Sequence, residues 1–151
     1  MKLIISLIIP LAIGFAGSTS TASAIDNWYP TLNKPFFTPP NWLFGPVWTL
    51  LYIMMGISFY LLWKQKDFSK HPAILKLFIL QLALNGFWSP VFFGARAPLP
   101  ALVILLALWA ALLALILRLR RINRTAALLL IPYLVWVSYA GALNAAIVWL
   151  N

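Results

Sequence analysis

The chain has no cysteine and no glutamate, only two aspartates, and a single histidine. Without cysteine there is no disulfide, no thiol nucleophile and no thiolate metal site. Both acids, Asp26 and Asp67, fall in loops, so no carboxylate lies inside an apolar run. Proton- and ion-coupled transporters keep an ionisable group at membrane depth. This absence argues against a pump, a charge-selective channel or an acid–base enzyme. His71 also lies in a loop, which leaves no Ser/His/Asp triad. No catalytic residue, metal set or obligatory cofactor is read from the chain.

What is present is apolar. Of 151 residues, 64% are hydrophobic and 9% are charged, and the mean hydropathy is +0.94. A soluble domain of this size would lack the polar surface to cover such a core. The net charge of +9 sits in short loops between apolar runs, not in a basic stripe on a soluble fold, so nucleic acid is not a partner. The partner is the lipid bilayer. Apolar runs at residues 3–23, 43–63, 74–93, 99–117 and 126–150 are each long enough to span. Helices alone satisfy every backbone group within one span, and these runs are too uniformly apolar for barrel strands. The expected fold is an all-α membrane protein, one domain made of a bundle of five transmembrane helices.

The first run has two readings. Lys2, an apolar stretch from Leu3 to Phe15 and then Ala22-Ser23-Ala24 read as a signal peptide with its cleavage site. The same residues read equally as a retained span whose small second half, Gly14 to Thr21, allows close helix approach. Charge sets the orientation in either case. Lys2, the Lys64–Lys76 group and the Arg118–Arg124 group fall on one side, and Lys34 and Arg96 on the other. The positive-inside rule then puts the N-terminus in the cytoplasm and the C-terminus outside.

Residues 24–42 form a loop that cannot be helical throughout, because Pro30, Pro35, Pro39 and Pro40 remove donors and force extended geometry. Trp28, Tyr29, Phe36 and Phe37 lie in this loop. Trp42, Phe44, Trp48 and Tyr52 follow it. Such a segment reads as an aromatic belt at headgroup level or as a lid, carrying Trp28, Lys34 and Trp42, over a cavity. Helical spacing groups Trp48, Tyr52, Met55 and Phe59 on one face. It does the same for Gln81, Asn85 and Trp88, and for Trp136, Ala140, Leu143 and Asn144. Each stripe alone is ordinary helix packing. The three together point to a cavity for a flat apolar ligand.

Four long motifs occur in order: PLAIGFAGS, WYPTLNKPFFTPPNWLFGPVWTLLYIMMG, QLALNGFWSPVFFGAR and PYLVWVSYAGALN. With them the chain resembles the tryptophan-rich sensory protein or translocator protein (peripheral benzodiazepine receptor) family over nearly its whole length. The resemblance implies five helices, a homodimer and a cavity closed by the first loop. It implies binding of porphyrins or haem-related tetrapyrroles, and it makes the first run a retained helix. Family ligand positions fall on Trp48, Asn85, Trp88, Trp136, Ala140 and Leu143, with Asn41 and Gly45 beside the lid; helical spacing adds Tyr52. Two features depart from the family. No basic residue follows Tyr139 as the cholesterol motif requires, and Pro100 stands where animal members carry tryptophan.

The function expected is a receptor or sensor for protoporphyrin, haem or similar flat ligands in the bacterial cytoplasmic membrane. Photo-oxidative porphyrin breakdown and porphyrin transport are the alternatives; the lack of catalytic groups weighs against an enzyme. Lys34 and Arg96 read either as interface anchors or as the cations that meet porphyrin carboxylates, Arg96 as a two-bond grip.

Overall fold

The computed structural model describes residues 1–65 and 68–151. Lys66 and Asp67, read above as part of the polar end of the second run, lie outside the described residues. Among the described residues the architecture is all-helical, with five segments long and apolar enough to cross a membrane. Helix α1 spans Lys2–Ala24 and α2 spans Asn41–Trp63. Helix α3 spans Pro72–Ser89 and runs on through a π-helical turn, Pro90–Gly94. Helix α4 spans Pro98–Leu119. The fifth segment is divided into α5, Arg124–Leu129, and α6, Ile131–Leu150.

Local chemistry sets these boundaries. Proline occupies the first turn of α3, α4 and α6, where a missing N–H costs nothing. Asn123 caps α5 by accepting the Ala126 amide at 3.0 Å. Pro90 lacks the N–H that would continue the α3 ladder, and the chain answers with a wider turn. The Ala95 amide reaches back five residues to the Pro90 carbonyl at 2.8 Å. Arg96 then takes the left-handed conformation, φ 52°, and the Ala97 amide closes on the Val91 carbonyl at 3.2 Å.

Around the bundle, α1 packs on α2 and α3, α3 on α4, and α4 on α6; α5 closes the ring against α2. The core is drawn from α2 to α6: Met55, Leu62, Phe78, Leu108, Leu112, Leu115 and Tyr133 are buried there. Of α1, only Ser6, Pro10, Gly17 and Ala24 are buried. Its start is tied to the end of α2. The Lys2 Nζ donates to the Trp63 carbonyl at 3.4 Å and lies 5.6 Å from the Trp63 ring centroid. Near the other end α1 and α2 part.

Candidate functional site

The gap between α1 and α2 is the mouth of a cavity of about 780 Å³. Its wall comes from α1, the first half of α2, the end of α3 and two leucines of α4, Leu105 and Leu108. Phe15 of α1 and Trp42 of α2 frame the mouth and are 76% and 71% exposed. This size lies within the range of small-molecule sites, roughly 300–1,000 Å³.

Aromatic contacts make one wall rigid. Trp48 stacks on Tyr52 with centroids 5.6 Å apart and planes at 26°. The Tyr52 hydroxyl donates to Asn85 Oδ1 at 2.6 Å, and Asn85 Nδ2 donates to the Tyr133 hydroxyl at 2.8 Å. This chain links α2, α3 and α6 through the bundle centre. Satisfied buried networks of this kind fix side-chain positions. Trp88 stacks on Phe92 at 5.3 Å, and its Nε1 donates to Asn144 Oδ1 at 3.3 Å. On the opposite wall, Ser89 donates to the Gly17 carbonyl at 2.8 Å and lies 2.7 Å from the Thr21 hydroxyl.

Of the residues singled out from sequence, Asn41, Gly45, Trp48, Tyr52, Asn85 and Trp88 share this wall with Trp42. Trp136 stands behind it, edge-on to Phe44 at 6.2 Å and to Trp48 at 6.5 Å. Ala140 and Leu143 line a separate void of about 20 Å³ with Tyr29 and Asn144. Phe44, Trp88 and Phe93 border both spaces and so form the partition between them. The α1 residues Leu11, Gly14, Phe15, Ser18 and Ala22 were not singled out from sequence, nor was Thr49; all line the cavity. The small-residue run in α1, which holds Gly14 and Ser18, was the one sequence signal.

The loop between α1 and α2 lies across the bundle end. Trp28 packs edge-on to Phe92 and Phe93, at 5.8 and 6.5 Å. The Tyr139 hydroxyl donates to the Phe37 carbonyl at 2.6 Å. Asn33 and Asn151 form a reciprocal pair: the Asn33 amide donates to Asn151 Oδ1, and Asn151 Nδ2 to the Asn33 carbonyl, both at 3.0 Å. Lys34 is folded into the loop. Its Nζ donates to the Tyr29, Leu32 and Pro30 carbonyls at 2.9, 3.4 and 3.5 Å, over the Tyr29 ring. Arg96 is exposed in the turn after Gly94. Neither cation lines the cavity. Among the described residues, no group of three His, Cys, Asp or Glu side chains is placed to hold a metal.

Five apolar helices, four of which wall an aromatic cavity, define an integral membrane protein. Comparison with known proteins narrows this class. The chain belongs to the TspO/MBR family, whose family model matches residues 6–150. It is 48% identical over 151 residues to the tryptophan-rich protein TspO of Archaeoglobus fulgidus, covering 100% of this chain and 97% of that one. It is 40% identical over 139 residues to the translocator protein of Bos taurus, covering 91% and 82%. With the tryptophan-rich sensory protein of Cereibacter sphaeroides it shares 33% identity over 138 residues, covering 89% and 85%.

Proposed function

We propose that this protein is a membrane receptor or sensor that binds flat apolar ligands, porphyrins and related tetrapyrroles foremost, in the cavity between α1, α2 and α3. The observation that carries the reading is the cavity of about 780 Å³ walled by Trp48, Tyr52 and Trp88. Rings of this kind hold a planar ligand by stacking and apolar contact. The relatives named sensory protein and translocator protein support a receptor role, and the tetrapyrrole class rests on the family resemblance. Of the side chains that ligate haem iron, His, Cys and Met are missing from the wall, and the Tyr52 hydroxyl is engaged with Asn85. Protoporphyrin is therefore expected to bind about as well as haem.

The protein is proposed to sit in the bacterial cytoplasmic membrane as a homodimer, N-terminus inside, with the α1–α2 loop as an outward lid. Arg96 is the cation on that side proposed to meet an acidic edge of the ligand outside the cavity. The test is a titration of the purified protein with protoporphyrin, followed by tryptophan quenching. Trp48→Phe should weaken binding by up to roughly tenfold, since an aromatic pair contributes ~0.5–1.5 kcal/mol beyond its area. Trp136→Phe should cost less, because Trp136 acts through Trp48 and Phe44. No saturable quenching by either porphyrin would overturn the tetrapyrrole reading.

A further inference from the structure

No residue lining the large cavity is a lysine, arginine, histidine, aspartate or glutamate. Its five hydroxyls, on Ser18, Thr21, Thr49, Tyr52 and Ser89, have a second property in common. A hydroxyl carries one proton and two lone pairs. Ser18 gives its proton to the Phe15 carbonyl at 2.7 Å and Thr49 to the Gly45 carbonyl at 2.9 Å. Tyr52 gives its proton to Asn85. Ser89 donates to the Gly17 carbonyl, so in the Thr21–Ser89 bond the proton comes from Thr21. All five protons have an acceptor within the protein, and each hydroxyl keeps a lone pair to offer a ligand. Among the described lining residues the side-chain donors left are one proton of Asn85 Nδ2, the Asn41 amide and the Trp42 and Trp48 indoles, all on the α2–α3 side.

We infer that the cavity selects uncharged ligands bearing N–H or O–H donors, and that it keeps carboxylates out. The inference rests on the ligand-binding reading above and names the chemistry of its ligand. An ionised carboxylate is an acceptor without a donor. Inside this wall it would lose water and meet no cation, and on the α1 face it would meet hydroxyl lone pairs, and such burial is costly. A neutral N–H or O–H finds an acceptor on α1 at Ser18 or Thr21, and on α2 at Thr49. A dicarboxylate ring therefore enters only with its acidic edge at the mouth between Phe15 and Trp42. Lys34 cannot draw it inward, because its ammonium is already bonded to three carbonyls of its own loop.

The experiment uses the full chain in phosphatidylcholine nanodiscs, with two matched probe pairs. One is 1-aminopyrene against 1-pyrenecarboxylate; the other is protoporphyrin dimethyl ester against protoporphyrin itself. Affinities are referred to the probe concentration in the bilayer, measured in protein-free nanodiscs. The amine and the ester are expected to bind at least tenfold tighter than the carboxylate and the diacid. Thr49→Lys places a cation on the exposed rim of the wall and should pull both ratios back towards one or reverse them. Equal affinity for pyrene amine and carboxylate, or ratios unmoved by Thr49→Lys in a folded variant, would overturn the inference. A preserved pyrene preference with no binding of either porphyrin would uphold the selectivity and refute the tetrapyrrole reading instead.

Discussion

Gly14 and Gly56 bring α1 closer to α2 than any residue with a side chain would allow. A Cβ on Gly14 would overlap the Tyr52 ring, and one on Gly56 would lie 2.7 Å from the Ser6 carbonyl oxygen and 2.9 Å from Leu7 Cα. Gly14→Ala must push Tyr52 aside and with it the bond to Asn85. A loss of ~1–3 kcal/mol is expected from overpacking, with weaker ligand binding, read by thermal melting and titration. Gly56→Ala should cost more, because backbone cannot swing away as a ring can. Tyr29 poses the opposite case. Its hydroxyl is buried and meets no partner among the described residues. Burial, with Tyr139 adding to the effect, pushes this phenol up to about 12. Because this phenol is harder to ionise in the fold, it leaves stability independent of pH below pH 10, where the unfolded group begins to ionise, and stability falls as pH rises from there through the folded value. Tyr29→Phe should leave neutral-pH stability equal or higher, since it removes an unpaired buried group. It should also blunt the alkaline loss seen in melting curves above pH 10.

At the scale of elements, the α1–α2 loop is fastened at its middle and not only at its ends. Asn33 with Asn151 and Tyr139 with Phe37 both tie it to α6. Asn33→Ala or Tyr139→Phe should raise hydrogen exchange across the loop and speed ligand release, while exchange in the α4 core stays unchanged. Faster exchange confined to the substituted residue would show that the loop does not move as one piece. The helices themselves were legible in the sequence, because a span must be long and apolar whatever it packs against. The cavity was half legible. Asn85 and Trp88 could be placed by spacing, since one face of α3 must look inward. The α1 wall could not, because a run of glycine, serine and threonine reads alike whether it meets a helix or an empty space. The π turn after Pro90 was equally hidden: proline announces a disturbed helix, but not whether the chain kinks, stops or widens.

For the molecule as a whole, the two ends of the bundle differ in charge. Lys2, Lys64, Lys70, Lys76 and the four arginines from Arg118 to Arg124 gather at one end, and Lys34, Arg96 and Asp26 at the other. A protease or reporter accessibility assay is expected to find the first end in the cytoplasm, and intact mass to find α1 retained; loss of residues 1–24 would remove the cavity wall. Helix α1 precedes α2 to α6 in the chain, contributes little to the core and yet gives as much of the cavity wall as α2 does. The site is therefore incomplete until α1 is docked on α2 and α3. A ligand that binds only the docked state stabilises that step by mass action, and in doing so would act as a chaperone for its own receptor.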